Sequence, residues 1–363
     1  MASNLIPALD PAPVPGPFWL FHLLWVVTFF LHMVFVNMTL GGSLLASFVG
    51  SRRRDVQAFF VNVNSWAISF AITFGIAPLL FVQVLYGRLF YSATILVAWS
   101  WLGMLGLLAV GYYLNYVAKF RLQKGLTAGI ALPISAICFT LISVIQVVVN
   151  LLHLQPNRWE GVWMQAQSAF ADPTFLPRWL HFVLASCGMA AAVLAYWQVR
   201  KAKAPGANPD QVAAASFGVK AALYTTIGQL IVGFWLLLAL PSEVLTAFMR
   251  AGASTTLPLG LGILAGIGLL VVLAGIRDPL AEPTKVRRAL ELLVGVVVVM
   301  VITRHQLREV YLASWKPLEG AQVSPQWGIF LVFLVTFLIG VGLTVYAMVK
   351  AATDKPEAGE PAA

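Results

Sequence analysis

Long, almost uncharged apolar runs recur through most of this sequence. No other feature limits its folding as strongly. A helix needs about 20 apolar residues to cross the hydrocarbon of a bilayer. By that rule the sequence divides into about nine blocks: Phe18–Gly50, Ser65–Tyr86, Ser92–Val117, Leu126–Leu152, Leu176–Val199, Ala213–Leu240, Leu257–Ile276, Ala289–Thr303 and Trp327–Val349. The eighth is short, with Arg288 and Glu291 at its entrance. With 60% hydrophobic and 10% charged residues, the chain has too little polar surface for an ordinary soluble domain. Backbone polar groups in lipid must be satisfied within the segment, and nothing here alternates like barrel strands. The expected fold is an all-α, polytopic transmembrane helical bundle, embedded in lipid.

The basic residues orient it. One set of loops holds Arg52, Arg53, Arg54, Lys119, Arg121, Lys124, Arg200, Lys201, Lys203, Arg277, Lys285, Arg287, Arg288, Lys350 and Lys355. The other holds only Arg88, Arg158, Arg178, Arg250, Arg304, Arg308 and Lys316, while Lys220 lies just inside the sixth block. The positive-inside rule puts the N-terminus outside and the C-terminus in the cytoplasm, here of a bacterial inner membrane. The net charge of +9 then reads as topology and gives no case for nucleic-acid binding. Residues 1–17 form a Pro-rich extracytoplasmic lead-in without the basic start of a secretory signal. Residues 18–350 form the bundle, and 351–363 a polar tail with the composition of a disordered segment. Cys138 and Cys187 fall inside blocks. No Cys-x-x-Cys-His, Walker loop, dinucleotide fingerprint or His-Glu-x-x-His motif occurs.

Candidate chemistry rests on five histidines, His22, His32, His153, His181 and His305. By the topology above, His22, His153, His181 and His305 all lie near the outer face. His32 lies ten residues past His22, about 15 Å deeper along a helix. Histidine at a helix end is also tolerated as an interfacial residue, which remains an alternative for His22 and His153. An intramembrane histidine such as His32 must find a partner, and neutral imidazole is an axial haem ligand in helical bundles.

The surrounding residues add a resemblance. His32-Met-Val-Phe-Val-Asn-Met-Thr-Leu-Gly41, Ile68-Ser-Phe-Ala-Ile-Thr-Phe-Gly75, Phe81-Val-Gln-Val-Leu-Tyr-Gly87, Arg178-Trp-Leu-His181-Phe-Val and Ala215-Ser-Phe-Gly218 occur in that order. Together they resemble subunit I of cytochrome bd quinol oxidases. The resemblance implies that His32 and His181 ligate haem b, and that the chain works with other membrane subunits of a respiratory complex.

Departures from the family pattern are equally specific. The long quinol-binding loop after the sixth span is reduced to Pro241–Thr256, and the third span has no Glu. The seventh lacks the family's ligand Met. The motif Gly-Trp-x-x-x-Glu-x-Gly-Arg-Gln-Pro-Trp shrinks to Val301-Ile-Thr-Arg304-His305-Gln306, its ligand Glu counted as lost. These losses imply an electron-transfer subunit rather than a complete oxidase. His22, His153 or His305 is then expected to supply the imidazole opposite His181, with His32 holding a second haem. Arg88 and Arg304 are candidates for haem propionates, with snorkelling to the interface as the competing reading. The outer segments Asn157–Arg178 and Gln306–Gln326 suggest docking of a c-type cytochrome. A haem-free anchor or quinone-binding subunit, and a transporter, remain the alternatives.

Overall fold

The computed structural model describes residues 6–159, 169–202 and 208–353. The polar tail expected at 351–363 therefore lies mostly outside the described residues, as do the first five residues of the lead-in and the middle of the segment expected to dock a partner. Among the described residues ten α-helices follow one another: α1 (Phe18–Val49), α2 (Arg54–Leu96), α3 (Ala98–Gln123), α4 (Ala131–Leu154) and α5 (Phe175–Ala202), then α6 (Pro209–Ala239), α7 (Ser242–Arg250), α8 (Ala253–Ala274), α9 (Pro283–Leu312) and α10 (Trp327–Thr353). Seven helical stretches among the described residues are long and apolar enough to cross a membrane. The first of them, Phe18–Leu96, comprises α1 and α2, which pack against each other as a hairpin. The chain is a multi-pass helical membrane protein.

Three boundaries differ from the sequence reading. The second helix runs on past Tyr86 to Leu96, because Tyr86 (φ −141°, ψ 16°) kinks it without ending it. The eighth block lengthens into the 30-residue α9, whose charged ends carry the helix beyond its apolar middle. The short connection Pro241–Thr256 contains α7, whose Val244 and Leu245 pack toward Leu154 and Tyr311.

The main-chain seams explain the packing. Along α1 and α2, three side chains bond across to backbone carbonyls at seven-residue intervals: His32 Nδ1 to Ala71 O (2.8 Å), Asn64 Nδ2 to Thr39 O (3.3 Å) and Gln57 Nε2 to Ala46 O (3.2 Å). Seven residues are close to two helical turns, so these groups share one face. Between α1 and α5 the backbones nearly touch, and Ser186 Oγ donates to Asn37 Oδ1 at 3.0 Å. Helices in lipid associate through such close packing of small residues. Apolar side chains gather in two large clusters. One lies toward the basic end, around Phe35, Phe60, Met189 and Leu269, and the other toward the opposite end, around Trp25, Leu85 and Leu152.

The two ends differ in their connections. At the basic end Arg53 bonds Asp55 and the Ala213 carbonyl, Arg54 bonds the Gly125 carbonyl, and Lys285 bonds the Gly275 carbonyl. At the other end the lead-in is anchored: Val14 N donates to Gln322 O (2.7 Å), and Ser324 N donates to Val14 O (2.9 Å). There too Asp172 accepts from Gln155, Arg158 and Thr174. Burial would push its carboxyl up, but those hydrogen bonds and the Arg158 charge hold it below the usual carboxylate range. Helix α10 leans on the bundle through Phe333 against Phe81, while Ile329, Val332, Leu338 and Leu343 face outward.

A Cβ on Gly41 would lie 2.0 Å from the Ser186 carbonyl oxygen, whereas Gly103 and Gly106 on α3 face open space. Gly41→Leu should therefore separate α1 from α5 and cost more than the 1–3 kcal/mol typical of overpacking, about 3 kcal/mol or above. Gly106→Ala should be close to neutral. Thermal unfolding of the detergent-solubilised variants measures the difference, and equal melting temperatures would refute the close approach.

Candidate functional site

The histidines lie at two levels. At the outer level His22 Nδ1 and His305 Nε2 are 2.9 Å apart, joining α1 to α9. Trp25 stacks on the His305 ring at 4.9 Å, and Tyr86 meets His22 and His153 edge-on at 6.3 and 5.7 Å. The Tyr86 hydroxyl donates to Glu309. His22, His305 and Glu309 stand close enough together to share a cation. His153 is buried; neither ring nitrogen makes a well-formed hydrogen bond, and the Leu89 backbone is the polar group beside it.

The deeper level contains His32 and His181. Asn37 and Ser186, which bond to each other, each stand five residues beyond one of these histidines, on helices that run in the same direction. His32 and His181 are thus level. A second register agrees. Trp179 donates to Ser143 on α4 (2.9 Å), ten residues and about 15 Å inward of His153. The expectation that His181 shares the depth of His22, His153 and His305 is not met. Sequence reasoning assumed that every span starts at the membrane surface. Instead Asp172 and Thr174, just before α5, are buried, and α5 begins deeper than α1. Irregular backbone at such depth is tolerated where protein surrounds it.

The pairing of His181 with His22 or His305 changes accordingly. Those two bond each other at the outer level, and 2.9 Å is shorter than the roughly 4 Å between imidazole nitrogens on opposite sides of one iron. His181 faces α6, where Gly233 lies against its ring and Gln229 Nε2 donates to its carbonyl oxygen at 2.6 Å. Its Nδ1 is buried without a partner.

His32 has the posture of a metal-ligating histidine. With Nδ1 bonded to the Ala71 carbonyl, the tautomer is set and Nε2 keeps its lone pair. Gly75 on α2 gives the ring its room, since a Cβ there would meet Cε1 at 3.0 Å. A haem requires an imidazole nitrogen free to bind iron and cations for its carboxylates. His32 and His181 fit the first requirement.

For the second, Arg304, named from the sequence, is joined by Arg308 and Arg178, which sequence reasoning passed over. Arg304 stacks on Phe29 (4.8 Å) and bonds Asn150 (2.8 Å), leaving Nη1 buried and unpartnered. Arg308 lies over Trp25 (4.2 Å) and Tyr86 (5.1 Å), with Nη1 unpartnered. Arg178 has two unpartnered nitrogens, Nε and Nη2. The sequence signal for Arg308 was its spacing. Arg304, His305, Arg308 and Glu309 fall within two turns on neighbouring faces of one helix. Arg88 keeps a buried, unpartnered Nε, while its Nη2 holds the Lys316 carbonyl at 3.0 Å beyond α9. Glu309, which sequence reasoning passed over, is the acid on α9 that meets Tyr86 and His22.

No protein-family model matches the sequence, and no curated protein matches it significantly. Among solved structures, the bd oxidase from Geobacillus thermodenitrificans is similar. It superposes with a TM-score of 0.72 over 94% of this chain and 100% of that one, at 16% sequence identity. The resemblance read from the sequence motifs therefore holds at the level of fold: this chain is a helical membrane bundle built like a bd oxidase chain.

Proposed function

We propose that the chain is a haem b-binding electron-transfer subunit of a respiratory membrane complex, with its N-terminus outside and its C-terminus in the cytoplasm of a bacterial inner membrane. The observation that carries this reading is His32. It is an imidazole inside the bundle, oriented by a backbone carbonyl, with one nitrogen left as a ligand beside a glycine. His181, level with it on α5, is the second proposed ligand, and the likeness of fold to a bd oxidase chain supports both. Bound haem would supply one-electron chemistry. The protein's own residues would orient the macrocycle, exclude water with Phe29, Phe35 and Phe74, and set the local charge.

His22, His153 and His305 form the outer cluster. In this reading they are not partners of His181. The described residues supply nothing that favours a c-type cytochrome as a partner. Quinone binding has no specific observation in its favour either. Other membrane subunits fit the outward apolar face of α10 no better than lipid does.

Four expected outcomes test the reading. The purified chain should show a Soret band that sharpens and shifts on dithionite reduction. His32→Ala and His181→Ala should each lose about one haem per chain while keeping the fold by circular dichroism. Full haem content with an unchanged reduced spectrum in both variants would leave only the likeness of fold. The absence of a glutamate in α3 and the short connection after α6 predict little quinol oxidation by this chain alone. Rapid cyanide-insensitive oxygen uptake with added quinol would contradict that. A cysteine placed at Ser242 should label from outside only and a tag after Ala363 from the cytoplasm only, and the opposite pattern would reverse the orientation.

A further inference from the structure

The outer histidines have no part in the haem reading, yet they belong to a compact set of metal-ligand atoms. His305 and Glu309 lie four residues apart on α9, so their side chains leave one face of that helix. His22, in the second turn of α1, meets them there. One ligand atom from each of the three lies within 4.8 Å of the other two. Among the described residues no other group of three histidine, cysteine or carboxylate side chains does so.

The spacing of the two imidazoles fits neighbouring ligands of one ion. Nitrogens on opposite sides of a metal stand roughly 4 Å apart, whereas two ligands of a tetrahedral zinc are only about 3.3 Å apart. His22 Nδ1 and His305 Nε2 are 2.9 Å apart and share one proton. Exchanging that proton for an ion requires the rings to part by roughly 0.4 Å. Small torsions of two side chains supply that movement.

The residues behind the ligands hold them in place. Trp25 stacks on the His305 ring at 4.9 Å. The Tyr86 hydroxyl, on α2, donates to Glu309 and orients its carboxylate, as hydrogen bonds behind metal ligands do. His305 is buried, while His22 and Glu309 are half-buried toward the outer end, which gives an ion a way in.

Donor type and charge select the ion. Calcium and magnesium prefer six or more oxygens, and here a single carboxylate faces two imidazoles. Arg304 and Arg308 lie within electrostatic reach of His305 and oppose any cation. Binding must therefore come from coordination to nitrogen, which favours the later first-row ions. Two imidazoles and one carboxylate form a donor set that zinc uses, with water in the fourth position.

We propose that His22, His305 and Glu309 bind one divalent transition ion of the zinc class, which clamps the start of α1 to the outer half of α9. The proposal uses neither His32 nor His181, so it stands or falls separately from the haem reading.

The experiment uses the full chain in detergent, without a polyhistidine tag, stripped with a chelator and then dialysed against zinc. It should retain about one zinc per chain at roughly 10 µM free ion. His22→Ala and Glu309→Gln should each weaken binding at least about tenfold. Glu319→Gln removes an exposed acid at the same end and should leave binding unchanged. Zinc should also raise the melting temperature of the unaltered chain more than that of Glu309→Gln. With Cu2+ in place of zinc, electron paramagnetic resonance of the unaltered chain should show coupling to two imidazole nitrogens, a readout that needs no variant to fold. No stoichiometric zinc at that concentration, equal binding in all variants, or a Cu2+ spectrum without two nitrogens would overturn the site. Loss of haem instead of zinc from Glu309→Gln would overturn it too, by assigning that carboxylate to a haem.

Discussion

The arrangement of candidate groups depends on the contact between α1 and α5, where Gly41 has no side chain and Ser186 reaches Asn37. In lipid there is no apolar driving force between helices, so backbones that approach closely and share a buried hydrogen bond decide which faces meet. That contact sets His32 and His181 at one height. The three-step seam between α1 and α2 then places His32 against Ala71 and Gly75. Loosening either seam would move the histidines relative to each other without touching them.

Charge is the second constraint. The interior has few ionisable groups, and those at the outer end are mostly arginines whose acidic neighbours are already engaged. Asp172 is saturated by the turn it stabilises, and Glu309 is tied to Tyr86. Aromatic faces offset part of the cost, with Arg304 over Phe29 and Arg308 over Trp25. They cannot accept hydrogen bonds from every guanidinium nitrogen, and the remainder make this part of the bundle chemically expectant. The direct bond between His22 and His305 is a different solution, in which two imidazoles satisfy each other across α1 and α9.

Much of the architecture was legible because lipid leaves so few options. Blocks such as Leu126–Leu152 and Trp327–Val349 became α4 and α10 with small shifts at their ends. The motifs around His32 and His181 pointed to helices that the structure does bring side by side. Depth was less legible. Counting residues from the start of an apolar block treats every helix as starting at the same plane, and α5 does not. Asp172 and Thr174, just before it, are buried, and Asp172 is held by Gln155 and Arg158 from beyond the end of α4. Arg308 was passed over for a similar reason. As a lone cation near a span's end it reads as an interfacial residue, and only packing shows Trp25 and Tyr86 enclosing it.

What the sequence determined by itself was the class of fold, the helical segments and the set of histidines able to ligate a metal. Those follow from run length, from hydrogen bonding within lipid and from side-chain chemistry, all local properties. The tertiary structure decided which of those groups are neighbours. It joined His22 to His305, set His181 level with His32, turned Arg88 to the Lys316 carbonyl and brought Arg178 and Arg308 each within electrostatic reach of Arg304. The physical reason is that height and facing in a bundle depend on where two backbones can approach, and that is a property of pairs of helices.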